Sequence, residues 1–163
     1  MERKRAFDPV ADTDTRLLIL GSLPGDASLR AGQYYGHPQN AFWRLVGGVI
    51  GRDLAALPYD ERLAALRAAG VGLWDVVASA ERPGSLDAAI RRPEAADLRW
   101  LVRRLPDLRA VAFNGGSAAK LGRAVLADAT DAVLIDLPSS SPAHARPFGE
   151  KAAAWAVLGR WIR

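Results

Sequence analysis

Residues 16 to 25 read RLLILGSLPG, an apolar run of strand length that stops at a glycine and passes into a Gly/Pro turn. A run this short with no polar alternation is the mark of a strand covered on both faces, and such strands belong to parallel sheets. The same signature returns in VGLWDVV (71 to 77), LRAVAFN (108 to 114) and AVLIDL (132 to 137). Stretches with helical spacing lie between and after them. These are AFWRLVGGVIGR (41 to 52), YDERLAALRAAG (59 to 70, with Gly70 at the place of a left-handed C-cap), PEAADLRWLVRRL (93 to 105, opened by Pro93 and stopped by Pro106), GSAAKLGRAVLAD (116 to 128) and EKAAAWAVLGRWIR (150 to 163). This alternation predicts the α/β class, a three-layer α/β/α sandwich around a central, mostly parallel sheet of four strands. With 163 residues, half of them hydrophobic, and no repeat or linker, residues 1 to 163 are expected to form a single domain.

Composition removes several chemistries. The chain has no cysteine, which excludes disulfides, thiolate zinc sites and Cys-ligated clusters, and its two histidines, His37 and His144, are far apart in sequence. No metal and no cofactor are therefore expected. The start, MERKRAFDPV, is charged and no apolar run approaches membrane-spanning length, so no membrane association and a cytoplasmic location are expected. The formal charge of +4 rests mostly on arginine, and both ends are basic, ERKR and RWIR. That balance leans toward a polyanionic partner without identifying one.

In open α/β sheets ligands bind beyond the carboxyl ends of the strands. The residues there are GSLPGDAS, DVVASAERPGS, NGGS and PSSSPAHA, three of the four rich in Gly, Ser and Pro. GSLPG lacks the Gly-Lys-Ser/Thr of a phosphate-binding P-loop and the frame of a dinucleotide fingerprint, and no serine sits in a G-x-S-x-G elbow. Asp26, Asp75, Asp87 and Asp136 are carboxylate candidates by position only. The hydroxyls of Ser139, Ser140 and Ser141, held between Pro138 and Pro142, suit a grip on phosphate oxygens. Residues 33 to 43, QYYGHPQNAFW, crowd rings and an amide around Gly36 and Pro38, and a further amide, Asn114, ends the third strand. Gripping loop, stacking ring and reading amide together fit a pocket for a base extruded from a duplex.

In this order and at these spacings, GSLPG, YYGHPQNAFW, FNG and LPSSSPAHA resemble the uracil-DNA glycosylase superfamily, most closely its hypoxanthine-DNA glycosylase branch, over residues 16 to 146. The resemblance implies a monomeric, metal-free, nucleoid-associated repair enzyme that cleaves the N-glycosidic bond of deaminated bases in DNA, most of all deoxyinosine. Uracil is the alternative substrate, and a catalytically silent nucleic-acid-binding module the alternative from another class. Position by position, Gly21 to Gly25, with Ser22 and Leu23, form the loop under the sugar and beside the attacking water. Leu23 stands where relatives carry a polar residue, and the resemblance moves the catalytic duty to Asn40. Tyr35 takes the place of the ring that stacks on the base and Asn114 that of the amide that reads it. Ser28, Ser139, Ser140, Ser141 and His144 are the expected DNA contacts, and the residue filling the vacated stack is sought at Ser141 and its neighbours. Leu137 replaces a histidine that supports the leaving base elsewhere in the superfamily.

Plainer roles stand beside these. Tyr34, Phe42 and Trp43 fit the apolar face of a helix, Asn40 fits a helix N-cap and Asn114 a satisfied strand end. An amide read against a deaminated base has a clear logic, since deamination replaces an amine donor by a carbonyl and turns the adjoining ring nitrogen into a donor. Hypoxanthine and uracil share that pair, so pocket volume must separate them. Lys4, Lys120 and Lys151 show no sign in the sequence of the burial that lyase chemistry requires.

Overall fold

The computed structural model describes residues 2–163. After a short strand β1 (Arg3–Arg5), the apolar run becomes strand β2 (Leu17–Gly21), buried at every residue. The chain then forms α1 (Asp26–Ala31), α2 (Phe42–Ile50) and α3 (Tyr59–Ala68) before strand β3 (Val71–Asp75). Strands β4 (Val77–Glu81) and β5 (Arg91–Ala95) follow, then α4 (Leu98–Arg103), β6 (Ala110–Asn114), α5 (Gly116–Leu126), β7 (Val133–Leu137) and α6 (Phe148–Trp155).

Four strands make the central sheet in the order β3-β2-β6-β7, every pair parallel. The chain moves outward from β2 to β3, then crosses back to β6 on the other side of β2. The crevice at the carboxyl ends of β2 and β6 is thus the topological switch point, where such sheets open to ligands. Side chains of β2 alternate between two cores. Leu17 and Ile19 pack with Phe42, Trp43, Leu66 and Trp155 of α2, α3 and α6. Leu18 and Leu20 pack with Leu98, Leu101, Phe113 and Leu126 on the side of α4 and α5. Helices cover both faces, as the unbroken apolar strands predict. Tyr34, Phe42 and Trp43 are all buried in the first core.

Close approach of α5 to the sheet fixes one residue type. A Cβ on Gly122 would stand 2.3 Å from Cε1 of the fully buried Phe113 ring. Gly122→Val is therefore expected to cost about 3 kcal/mol or more, lowering Tm by on the order of 10 °C in a thermal melt.

The structure departs from the expected elements in three places. VGLWDVV is not one strand: beyond Gly21 strand β2 has ended, the N–H groups of Val76 and Val77 turn to the carbonyls of Gly21 and Ser22, and the chain leaves the parallel sheet. It continues as β4 in a second, antiparallel sheet of order β1-β4-β5, which sequence reasoning missed. The helix expected over 93 to 105 begins five residues late. Pro93 lies instead in the exposed edge strand β5, where a missing N–H costs nothing, and Asp97 caps α4 by accepting the Trp100 N–H at 3.1 Å. Finally, Lys151 is only 4% exposed. Its Nζ donates to the Ser141 carbonyl at 3.1 Å, and desolvation, then repulsion from Arg146, lowers its pKa. It faces the back of the serine loop and does not line the cavity described below. No helix among the described residues is long and apolar enough to cross a membrane.

Candidate active site

A cavity of about 570 Å³ opens over the switch point, within the roughly 300–1,000 Å³ typical of small-molecule sites. The tails of β2, β3, β6 and β7 all contribute to its wall. Tyr35, Asn40 and Asn114, which come from separate parts of the chain, line this one space. So do Gly21, Ser22, Leu23, Ser28, the three serines 139 to 141 and His144.

Tyr35 sits in the left-handed region at φ 53°, rare for a residue with a side chain. The conformation is held from the next residue, whose N–H donates to the buried Ser28 Oγ at 2.9 Å. Its ring lies against Phe42 with centroids 3.8 Å apart and planes 16° from parallel, so the ring cannot swing away. Asn40 does cap α2: its Oδ1 accepts the Phe42 N–H at 3.0 Å. That leaves the Asn40 Nδ2 hydrogens and one Oδ1 lone pair uncommitted.

Asn114 is clamped. Its Oδ1 accepts the Ser140 N–H at 2.8 Å and its Nδ2 donates to Ser140 Oγ at 2.9 Å. One N–H and one lone pair of the carboxamide remain, with the amide orientation fixed by the clamp. Ser140 is spent in this role, and its carbonyl accepts the Ala41 N–H at 3.0 Å, tying the serine loop to α2. Ser139 Oγ accepts the Ser141 N–H at 3.1 Å and Ser141 Oγ the Ala143 N–H at 3.2 Å, turns that hold the loop's shape. Helix α5 starts at Gly116 on the cavity wall, with the unpaired N–H groups of its first turn at that end.

Two polar groups on the cavity floor have no hydrogen-bond partner in the protein, the Tyr35 hydroxyl and Asp75 Oδ2. Both lie beside Gly21, where a Cβ would come within 2.7 Å of Asp75 Oδ1 and 3.0 Å of Tyr35 Oη. Burial pushes the Asp75 carboxyl up to about 7, Asp87 nearby adds to the rise and Arg82 opposes it. Burial likewise raises the Tyr35 phenol, keeping it neutral.

Arg82, completely buried, fastens the first loop. It donates from Nε to Gly84 O at 2.8 Å, from Nη1 to Leu23 O at 3.4 Å and from Nη2 to Pro24 O at 2.7 Å. The Leu23 side chain itself belongs to the second core, so what this residue turns to the loop's surroundings is backbone. Ser22 Oγ donates to Asp87 Oδ1 at 2.5 Å. His37 also lines the cavity, its Nδ1 accepting the Gln39 N–H at 3.0 Å, which places its proton on Nε2.

A profile of the uracil DNA glycosylase superfamily matches residues 8–159. This chain belongs to that superfamily. Two superfamily relatives bear the name hypoxanthine DNA glycosylase. One, from Methanosarcina barkeri (strain Fusaro / DSM 804), is 42% identical over 154 residues, covering 94% of this chain and 96% of its own. The other, from Methanosarcina acetivorans, is 40% identical over 157 residues, covering 96% and 98%. A solution NMR structure of a Methanosarcina acetivorans protein, provisionally named as a uracil DNA glycosylase, superposes with a TM-score of 0.87 at 40% identity over 98% of each chain. Within this superfamily fold, Leu137 is buried in the first core and contributes no polar group to the site.

Sequence reasoning held Asp75 and Asp87 as carboxylate candidates by position only, and passed over Arg82 and His37 as site residues. For Asp75 a signal was present, since it ends an apolar strand just as Asn114 does. For Arg82 there was none, because RPGS reads as any turn.

Proposed function

We propose that this protein is a monofunctional DNA glycosylase that releases hypoxanthine from deoxyinosine in DNA. The observation that carries the reading is the convergence of Tyr35, Asn40 and Asn114 on one cavity at the switch point of a superfamily fold. The names of the Methanosarcina relatives supply the substrate. The extruded base stacks on Tyr35, whose ring is backed by Phe42. Of the two Asn114 groups that the clamp leaves free, which point to opposite sides of the amide, the N–H donates to the carbonyl of the deaminated base. The amino group of an undamaged base would meet that N–H donor with donor, which disfavours it by about 1–3 kcal/mol.

Bond breaking is dissociative: negative charge grows on the base, the sugar gains oxocarbenium character, and water adds at C1′. Asn40 works from the cap of α2, its free Nδ2 and lone pair orienting the water or stabilising the departing base. The N–H groups at the start of α5 add positive potential to the same space. Asp75 is the acid of the floor. While protonated it donates a hydrogen bond to an acceptor of the base; once ionised, it opposes the charge developing there. The serine loop and His144 meet the DNA backbone. Chemistry through a lysine Schiff base has no place here, because Lys151 Nζ is committed to the Ser141 carbonyl.

The test is alkaline nicking of duplexes carrying one deoxyinosine or one deoxyuridine. Release of hypoxanthine is expected. Cleavage at deoxyuridine alone would reassign the substrate, and DNA binding without cleavage of either would make the protein a silent binding module.

A further inference from the structure

Among the described residues, six large apolar side chains stand exposed, Leu86, Trp100, Leu121, Val133, Phe148 and Val157. Only Leu86 lines the cavity, and at 59% it is the most exposed of the six. Scattered surface leucines need no explanation; one fixed at the mouth of a base-sized site is another matter.

The loop that carries Leu86 is braced on both sides. On one, Lys4 Nζ and Arg82 Nε both donate to the Gly84 carbonyl, at 2.6 and 2.8 Å, and Ser85 Oγ accepts the Asp26 N–H at 2.9 Å. On the other, Asp87 receives the Ser22 hydroxyl, and the Leu86 carbonyl accepts the Ala89 N–H at 3.0 Å. An apolar tip is thus held in water by a buried arginine, two hydroxyls and a lysine. Across the cavity, residues 139 to 143 offer hydroxyls, a proline ring and a methyl group, with no long apolar side chain.

We propose that Leu86 is the wedge that enters the duplex and occupies the place of the extruded nucleotide. This rests on the glycosylase reading above and is offered in place of the expectation that Ser141 and its neighbours fill the gap. Extrusion unstacks two base steps at a cost of a few kcal/mol, and proteins that open base steps do so by inserting side chains of this kind. A serine is too small and too polar to replace stacking. The loop runs on into β5 through Arg91 and Arg92, both exposed, which offer cations to phosphates flanking the gap.

The experiment compares the unsubstituted protein, Leu86→Ala and Leu86→Met in single-turnover release of hypoxanthine. The same deoxyinosine strand is used alone and paired with its complement, with thermal melts verifying the fold. Only in the duplex is there a stack to open. The rate loss of Leu86→Ala on the duplex is expected to exceed its loss on the single strand by about tenfold or more, and Leu86→Met is expected to recover most of it. Equal losses on both substrates, or no loss on the duplex, overturn the wedge while leaving the glycosylase reading intact. So does failure of the unsubstituted protein to cleave the duplex while cleaving the single strand. If it releases hypoxanthine from neither, the glycosylase reading fails and the wedge falls with it.

Discussion

Asn40→Ala is expected to lower single-turnover hypoxanthine release about 10²–10³-fold while leaving the protein folded. The side chain has two duties, and the structure separates them. Its Oδ1 caps α2 through the Phe42 N–H, a bond worth about 1 kcal/mol, or a few degrees of Tm. Its Nδ2 and second lone pair are uncommitted, on a residue that lines the cavity, and in the proposed mechanism they carry the chemistry. Asn40→Asp provides the control, because a carboxylate keeps the cap and suits the positive end of a helix. A rate as low as that of the alanine variant would assign the function to the Nδ2 hydrogens, and a retained rate to the acceptor oxygen. Full activity in Asn40→Ala, measured with matched melts, removes Asn40 from the mechanism.

Asp75→Asn is expected to act on stability and activity at once. The folded-state pKa is pushed up to about 7 by burial, above the roughly 3.9 of an unfolded aspartate. Between these values the native state holds the proton and the unfolded state does not. This group's contribution to stability is therefore full below about pH 4 and falls as pH rises toward 7, staying low above it, a loss of up to several kcal/mol. Asparagine has the same shape and does not titrate. The variant should melt higher than the parent at pH 8 and lose this group's contribution to the decline between pH 4 and 7. Activity follows the same proton. The parent's rate should drop up to about tenfold per unit above pH 7 as the donor ionises, whereas Asp75→Asn keeps an N–H donor and a flat profile. Burial sets most of this titration, with Asp87 raising it further and Arg82 lowering it. A parent profile flat from pH 6 to 9, or the same decline in the variant, would refute the role given to Asp75.

Gly21 shows why the floor has this composition. Any side chain there would occupy the space in front of Asp75 and Tyr35, so the turn glycine that ends the first apolar strand also keeps the floor open. Arg82 supplies the rigidity: a buried guanidinium bonded to three carbonyls fixes the 21 to 25 loop against the 82 to 86 loop. The loop beneath the floor and the proposed wedge are thus mounted on one braced unit.

The central sheet, its two helical coverings and the ends of three of its four strands were legible in the amino-acid order, because an apolar run short enough for a strand and lacking alternation has one stable environment, between two layers. Asn114 and the serine loop could be placed on the ligand edge for the same reason. Tertiary structure alone decided the rest. Strand β5 contains a proline and is exposed throughout, so only its pairing with β4 makes it a strand, and no local preference records that. Asp75 reads as one aspartate among many until burial without a partner changes its proton affinity. The exposure of Leu86 beside a cavity is a relation between loops far apart in the chain. Periodicity reports what a segment buries, whereas the field at a carboxyl group and the shape of a rim depend on neighbours that only folding brings together.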